Sequence, residues 1–498
     1  MGRTQKATKN IVTGLVNKAA LMLLAFVTKT AFIRLLGAEY NGVSSLYTNI
    51  LSVLALAELG VGNVLMFYLY AALERKNEEE VSALVYEFKK IYNAIIVCVL
   101  AVGLALVPFL QFLVNSNLER SELIIYYLLY LANSVASYFV VYRTTVIRAD
   151  QSEWILNNVS TASTVVMYIL QLTYLYKFRN FLGYLIIQVV CTIANNLIQN
   201  YIAVKRYPYL KEKVDIDKSA LIGNVKATFL FKVSDTILDQ TDNIIISVMI
   251  GTLAVGMYSN YYMLIMYLVN IAGIIANGMV ASFGNLYVEG NKEKSYKMLR
   301  VSMLLFSFYG TICGVCYICL IQDFIPIWVG KQYLMEYDLV FAVVAVFYLR
   351  MVTNTIWIYR SSMGLFKEVQ YINIAAAVLN IILSIALEHR GGLAGIIIAT
   401  AISRLLTSFW YEAKVVFEKL ERPVSEYFKI QAKDLLIASC IIGICYFVTS
   451  HIHTSGLIGL FIKVFVCLVI SGCAECMAHH KEKEFEFFLN KIQQIGKR

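Results

Sequence analysis

The strongest constraint on the fold is that the chain repeats itself. Shifting residues 1–215 by 214 positions brings the second half into register without a gap, so that Asn10 falls on Asn224 and Gly42 on Gly256. Each copy holds about six long apolar segments, and a six-helix unit begins and ends on the same side of a bilayer. Two such units in tandem are parallel repeats, an architecture found in transporters whose two halves rock about a central site.

The composition predicts a membrane-spanning chain. Hydrophobic residues make up 59% of the sequence and charged residues 15%, against about 25% charged in a soluble domain. Apolar runs long enough to span about 30 Å of hydrocarbon recur along the whole chain. Only 4 prolines occur, which suits long helices. The expected fold is therefore an all-α integral membrane protein.

The apolar runs predict about fourteen transmembrane helices, with ends uncertain by several residues. They are expected at roughly 10–36, 44–72, 91–114, 122–147, 154–176, 181–204, 220–250, 254–284, 299–323, 338–360, 369–388, 392–417, 434–450 and 455–478. We expect an N-lobe over 1–215, a C-lobe over 216–425, two additional helices over 426–480 and a basic tail over 481–498.

The loops predict the orientation. Most lysines and arginines lie in alternate loops on one side of the predicted helices, and the other side holds only Arg120, Lys177, Arg179, Lys331 and Arg390. Cytoplasmic loops carry the excess of basic residues. We therefore expect both termini in the cytoplasm, and no cleavable signal peptide before the first helix.

Several function classes are disfavoured by the residues. The net charge of +10 lies in short loops as an orientation signal, so no nucleic-acid partner is expected. The 10 cysteines lie mostly in apolar runs and indicate packing, as for the run Cys313, Cys316 and Cys319. No phosphate-binding loop and no catalytic triad can be assembled, so we expect neither an enzyme nor a bound cofactor.

One further pattern contains residue types that bind zinc. Cys473, Cys476, His479 and His480 form CAECMAHH at the end of the last predicted helix. Two thiols and two imidazoles are zinc ligands, but one helix does not easily aim four side chains at one ion. We expect packing and an exposed helix end here, without a metal site.

Charged residues inside the predicted helices are the candidate binding site. A charge near the bilayer centre costs about 2.5–3.5 kcal/mol and must face protein or water. The first helix carries Lys18 and Lys29 on nearly the same face, which suits an anion. The candidates for binding an anionic headgroup are Lys18, Lys29, Arg34, Lys232, Arg143, Arg350 and Arg404.

Acidic residues are candidates for a gate or for ion coupling. Asp235, Asp239 and Asp242 follow Lys232 on one stripe of the seventh helix, and Glu58 lies in the second. An alternative is purely structural: Lys232 could pair with Asp235 within the helix, while the first-helix lysines bridge to the other aspartates. Salt bridges of that kind that break on opening would also constitute a gate.

The sequence also resembles a known family. The stretch FIRLLGAEYNGVSSLYTNILSVLALAELGVGNVLMFYLY, Phe32 to Tyr70, is similar to the start of bacterial polysaccharide repeat-unit flippases of the Wzx type. These belong to the multidrug/oligosaccharidyl-lipid/polysaccharide exporter superfamily. Further similarities are Ile147–Asn157, Thr241–Leu264 and Ser403–Lys419. The fourteen-helix plan is similar to lipid II flippases, in which the extra pair borders the lipid tail.

The resemblance implies a V-shaped transporter made of two six-helix lobes around a central cavity. It also implies a function in surface polysaccharide or lipopolysaccharide and capsule biosynthesis. A polyprenyl-diphosphate-linked oligosaccharide would cross from the inner to the outer leaflet of the bacterial cytoplasmic membrane by alternating access. Lys18, Lys29 and Arg34 would bind the diphosphate. The implied partners are this lipid-linked sugar and the bilayer, with a polysaccharide polymerase and glycosyltransferases as candidates. The alternative on the same fold is a cation-coupled multidrug or metabolite antiporter, which the aspartates would suit.

Overall fold

The computed structural model describes residues 3–55, 61–211, 240–365, 368–452, 454 and 456–487. All regular structure in these ranges is helical. Nine of the described helices are long and apolar enough to cross a bilayer, or ten when a bent pair is counted as one span. The predicted all-α membrane fold is therefore confirmed. The chain forms two compact units, Met1–Gly256 and Met257–Arg498, while the predicted lobe boundary at 215 lies outside the described residues.

The first unit contains nine helices in its described part and the start of a tenth. Their bounds are α1 Arg3–Leu36, α2 Ala38–Leu54, α3 Val61–Glu74, α4 Glu78–Leu106, α5 Arg120–Tyr138, α6 Val141–Ala149, α7 Glu153–Phe178, α8 Phe181–Arg206, α9 240–249 and α10 Thr252–Val288. Helix α7 packs on α1, α6 and α8, and α5 packs on α4 and α8. The short helical segments Val107–Phe109, Leu110–Leu113 and Pro208–Lys211 join these elements.

The second unit contains the rest of α10 and six further helices in its described part. Their bounds are α11 Lys292–Trp328, α12 Tyr337–Met363, α13 Gln370–Leu406, α14 Ser408–Lys419, α15 Ser425–Ser450 and α16 Gly456–His479, with a helical turn at Lys331–Tyr333. Helices α11 and α12 form its core, because α11 packs on α12, α15 and α16 and both α11 and α12 bury most of their central residues. The outer helices expose large apolar side chains such as Phe461 and Phe465, as lipid-facing helices do.

The repeat is visible in how equivalent helices begin. The side chain of Asn77 accepts a hydrogen bond from the backbone N–H of Glu80 at 3.1 Å. Its repeat partner Asn291 accepts one from the backbone N–H of Lys294 at 2.9 Å. Each cap satisfies a backbone donor that the helix cannot, and contributes about 1 kcal/mol. The same local solution thus stands at the start of α4 and of α11.

Within the first unit, α2 and the start of α10 meet backbone to backbone. Asn41 donates a hydrogen bond from Nδ2 to the carbonyl oxygen of Gly256 at 2.7 Å. A Cβ added to Gly42 would lie 1.9 Å from the carbonyl oxygen of Thr252, and one added to Gly256 would lie 1.9 Å from that of Ala38. Both glycines are required by this close approach, since no side chain fits between the two backbones.

Two helix breaks differ in how well the sequence predicts them. Helix α13 is interrupted at Gly392, whose φ of 50° and ψ of −135° are not helical. This agrees with the separate helices predicted at 369–388 and 392–417. The single helix predicted at 122–147 is instead α5 and α6, bent by 45°. No proline or glycine marks the bend; near it the Ser137 hydroxyl donates to the Ser134 carbonyl at 2.6 Å, a bond of the kind that bends helices.

The additional helices α15 and α16 dock on α11 through small side chains. Cys319 of α11, Cys445 of α15 and Cys467 of α16 share one buried cluster with Val315 and Ile441. Free thiols behave here as small apolar groups that allow close helix approach, which confirms the predicted packing role of the cysteines in this part of the chain. In the N-terminal half of α16, Lys463 donates a hydrogen bond from Nζ to Oδ2 of Asp323 on α11 at 2.6 Å.

Candidate functional site

Lys29 is a half-buried cation in the apolar part of α1. Its ammonium lies 5.5 Å from the centroid of the Phe32 ring, about one turn along the helix. Among the residues that the structure describes, no carboxylate forms an ion pair with it. A cation at membrane depth is costly unless protein, water or a ligand solvates it. Lys29 is therefore suited to binding an anionic group.

A cluster of aromatic rings fixes this turn of α1. The Phe32 ring packs edge-on against Phe181, with centroids 5.4 Å apart, and against Tyr184 at 5.1 Å. Phe181 also contacts Tyr40 at 5.4 Å and Tyr126 at 4.7 Å. Edge-to-face pairs of this kind contribute about 0.5–1.5 kcal/mol each beyond their buried area. The cluster joins α1, α2, α5 and α8, so the cation beside it has a defined position.

Polar side chains recur along one face of α8. Thr192 donates to Oδ1 of Asn133 on α5 at 2.7 Å, and Asn196 donates to a backbone carbonyl of α5 at 2.6 Å. Gln199 donates to Oγ of Ser160 on α7 at 2.8 Å. Polar groups in a membrane must be satisfied inside the protein. These bonds therefore tie α5, α7 and α8 together at membrane depth.

Arg143 belongs to the same polar network. Its Nη1 donates to Oδ1 of Asn200 on α8 at 2.7 Å, and its guanidinium lies 5.5 Å from the ring centroid of Tyr142. An amide oxygen orients the guanidinium without neutralising its charge. Arginine has five N–H donors, so Arg143 can bind an anion while it still donates to Asn200.

The remaining predicted cations with described side chains lie on α1, α12 and α13. Arg34 is exposed in the last turn of α1, and Arg350 and Arg404 are half-buried on the neighbouring helices α12 and α13 of the second unit. Lys29 and Arg143 lie in the first unit, on α1 and α6, and both helices pack on α7.

Several predicted site residues lie outside the described part of the chain. These are Glu58, Lys232, Asp235 and Asp239. Lys18 lies on α1, but its side chain is outside the described part. Asp242 is half-buried on α9. Their roles as anion ligands, gate or coupling residues remain predictions.

The second unit contains an apolar groove. It has a volume of about 810 Å³ and is lined by α11, α12, α13, α15 and the start of α14. Gly310 and Gly314 of α11 line it together with Phe341, Leu405 and Leu435. A groove of this composition fits a hydrocarbon chain rather than a sugar or a phosphate.

The structure also reveals a polar cluster that the sequence did not predict. His479, predicted to lie at an exposed helix end, is buried between Glu475 of α16 and Asp434 of α15. Cys473, Cys476 and His480 are exposed, so the CAECMAHH pattern does not converge. The one available signal was the spacing of Glu475 and His479, which places both on one face of α16.

The family of the chain follows from its sequence. Residues 7–281, just over half of the chain, match the polysaccharide biosynthesis protein family. The chain belongs to the polysaccharide biosynthesis protein family. A comparison of the sequence with curated proteins found no match.

Solved structures with the same fold include flippases and transporters. The lipid II flippase MurJ in an inward closed conformation is 14% identical, with a TM-score of 0.70, over 94% of this chain and 99% of that one. An inward-facing multidrug resistance MATE family transporter of the MOP superfamily is 12% identical, with a TM-score of 0.62, over 80% and 95%. The MATE multidrug transporter DinF-BH is 16% identical, with a TM-score of 0.59, over 84% and 95%.

The family match and the shared fold confirm the predicted resemblance to flippases of the polysaccharide exporter superfamily, while the Wzx type stays a prediction. This member of the polysaccharide biosynthesis protein family is a multi-pass membrane protein. Its fold is that of the lipid II flippase MurJ and of MATE transporters.

Proposed function

We propose that this protein is a Wzx-type flippase of the bacterial cytoplasmic membrane. It moves polyprenyl-diphosphate-linked oligosaccharide repeat units from the inner to the outer leaflet by alternating access, for surface polysaccharide biosynthesis. The observation that supports this most is Lys29, a half-buried cation on α1 with no carboxylate partner among the described residues. Membership of the polysaccharide biosynthesis protein family agrees with the proposed substrate.

Two features match two parts of this substrate. Lys29 and Arg143 offer ammonium and guanidinium donors to diphosphate oxygens at two depths of the first unit. Lys29 lies beside the contact of Phe32 with Phe181, whereas Arg143 bonds to Asn200, about 28 Å farther along α8. Charge-assisted bonds of that kind are about twice as strong as neutral ones. The apolar groove of the second unit suits the polyprenyl tail. In this proposal both termini are cytoplasmic, and the N-lobe, the C-lobe and the extra pair have the predicted boundaries at 215 and 425.

The membrane potential favours the proposed direction. Moving one charge across the membrane is worth about 2.3 kcal/mol per 100 mV. A diphosphate of charge near −2 would gain about 4.6 kcal/mol per 100 mV when it leaves a negative interior. Outward movement therefore needs no coupled ion, although Asp242 on α9 leaves room for one.

The test is flipping in proteoliposomes by the Lys29→Gln variant. A charge-assisted hydrogen bond contributes about 1.5–3 kcal/mol, so flipping at low substrate should fall about 10- to 150-fold. Lys29→Arg should retain most of the activity because it keeps the charge.

Lys177→Gln is the matched control. Lys177 also lies over an aromatic ring, 5.2 Å from the Phe178 centroid, but it is exposed at the end of α7. Its replacement should leave flipping unchanged. Normal flipping by a folded Lys29→Gln protein would show that the diphosphate does not bind at Lys29.

A further inference from the structure

The contact between α15 and α16 contains a buried acid–imidazole cluster that the proposed transport site does not use. The side chains of Asp434, Glu475 and His479 are 3%, 1% and 1% exposed. Ionisable groups this deeply buried are rare and require compensation. The cluster lies at the end of the helix pair that is followed by Lys481 and Lys483.

The imidazole has a carboxylate on each side. His479 Nε2 lies 3.3 Å from Oε2 of Glu475 and 4.0 Å from Oδ1 of Asp434, while Nδ1 lies 3.1 Å from Oε2 of Glu482. A neutral imidazole has one donor nitrogen and one acceptor nitrogen. The acceptor nitrogen would then face a carboxylate, which is also an acceptor, and the two would repel each other. With both nitrogens facing carboxylates, the doubly protonated imidazolium is favoured.

One imidazolium cannot balance both buried carboxylates. Glu475 and Asp434 share the Nε2 side of the ring. Oε2 of Glu475 and both ring nitrogens of His479 are buried without a hydrogen bond of good geometry, so the groups interact through charge. An uncompensated buried carboxylate costs several kcal/mol. Binding a proton removes that cost, and the proton can then bridge the two acids or reside on either.

The neighbouring charges do not supply the missing compensation. Glu482 contacts Lys433, and Glu484 pairs with Arg300 at 3.0 Å. Each of these acids therefore has its own base. Facing the cluster from the elements packed around it are Arg300 and Ser307 of α11, Tyr348 of α12, Lys429 and Lys433 of α15, and Glu482 and Glu484 after α16.

Protons can reach the cluster from one side. A cavity of about 180 Å³ is lined by Asp434, Glu482, Lys429, Lys433 and Arg300, among others. Its volume and its polar lining suffice for water molecules. Among the described residues, no group of three or more His, Cys, Asp or Glu side chains is arranged to hold a metal ion.

We propose that Asp434, Glu475 and His479 together bind one exchangeable proton, and that this proton controls how α15 and α16 pack beside the apolar groove. Tyr348 links the two features, because it lines the groove and its hydroxyl lies 3.4 Å from Oγ of Ser307, which in turn contacts Asp434. Loss of the proton leaves like charges facing each other between α15 and α16, which weakens their contact. The effect on the groove rests on the proposed function, whereas proton binding does not.

The test is an infrared pH titration of the full-length protein in lipid nanodiscs. We expect a protonated-carboxyl band that disappears as the pH is raised. Asp434→Asn and Glu475→Gln should each abolish or shift it. Asp323→Asn is the matched control, since Asp323 is half-exposed and paired with Lys463, and it should leave the band unchanged.

A second readout follows His479 itself. The chain has 5 histidines, so the imidazole signal of ¹⁵N-histidine-labelled protein can be assigned by difference with His479→Gln. His479 should remain an imidazolium at neutral pH, because both ring nitrogens face carboxylates. Flipping should also depend on pH, since the proton controls the packing of α15 and α16, and Glu475→Gln should remove that dependence. A band that is absent, unaltered in both acid variants, or responsive to sodium at fixed pH would overturn the proton site. Failure of wild-type flipping with an intact band would refute the proposed function alone.

Discussion

Replacing Gly42 with alanine should separate α2 from the start of α10. The new Cβ would lie 1.9 Å from the carbonyl oxygen of Thr252 and 3.0 Å from the nitrogen of Gly256. An ordinary C···O contact is about 3.4 Å, so the two backbones must move apart by about 1.5 Å. The contact atoms are backbone, and no side-chain rotation can relieve the overlap.

The free-energy cost has two unfavourable parts and one favourable part. Overpacking costs about 1–3 kcal/mol, and breaking the bond from Asn41 to the Gly256 carbonyl, 2.7 Å long, costs about 1–3 kcal/mol more. Alanine gains about 0.5–1 kcal/mol over glycine in a helix. The net destabilisation is therefore about 1–5.5 kcal/mol. Gly256→Ala should behave alike, because its Cβ would lie 1.9 Å from the Ala38 carbonyl oxygen.

The measurement is thermal unfolding in detergent, followed by the helical circular dichroism signal. Gly278→Ala is the matched control: it lies in α10, and a Cβ there would meet nothing within 4 Å, so stability should stay equal or rise. The double variant of Gly42 and Gly256 should cost clearly less than the sum of the single variants, because one separation relieves both overlaps. A Gly42→Ala protein as stable as Gly278→Ala would refute the reasoning.

Two further predictions concern charged groups. Arg360 of α12 pairs with Glu412 of α14, with side chains 4% and 13% exposed. Arg360→Met should destabilise the protein by about 3–5 kcal/mol, because it leaves a buried carboxylate without its partner. Adding Glu412→Leu should recover most of the lost thermal stability. Burial would raise the pKa of Glu482, but hydrogen bonds from His479 and Lys433 outweigh it and hold the pKa at about 2. This depressed pKa stabilises the folded protein fully above the unfolded pKa of about 4.5, and the stabilisation is lost as the pH falls towards 2. Glu482→Gln should therefore flatten the dependence of the unfolding midpoint on pH between about 4.5 and 2. An unchanged pH dependence would contradict the depressed pKa of Glu482.

The order of the helices could be predicted from the sequence because it depends on local hydrophobicity. The repeat also predicted the equivalence of Gly42 and Gly256, and both stand at equivalent places in α2 and α10. That the two glycines meet could not be predicted, since a close approach of backbones leaves no periodic signal. The bend between α5 and α6 was missed for a related reason: no glycine or proline marks it.

The candidate site was predictable only in part. A lysine inside an apolar run is visible in any sequence, and Lys29 is half-buried as expected. The partner of Arg143 is Asn200, 57 positions away, and that of Lys463 is Asp323, 140 positions away. Pairings over such distances depend on which helices pack together, and hydropathy does not specify that.

The buried cluster between α15 and α16 also depends on which helices pack together, and the sequence did not predict it. Helix α15 begins at Ser425, well before the predicted start at 434, and this extension places Asp434 inside a helix packed on α16. His479 is therefore covered by a polar stretch of helix that hydropathy alone does not predict. The predicted exposure of this helix end was wrong for His479 because its cover comes from a distant segment.

The measurement that tests the central claim most directly is flipping by the purified wild-type protein in sealed proteoliposomes. One set would hold a polyprenyl-diphosphate oligosaccharide with a membrane potential imposed, and a second set an organic cation with a proton or sodium gradient. We predict protein-dependent appearance of the sugar on the opposite leaflet, accelerated by a potential that drives anions outward, and no cation efflux. Gradient-driven cation efflux without sugar movement would contradict the proposed function and identify the protein as an antiporter.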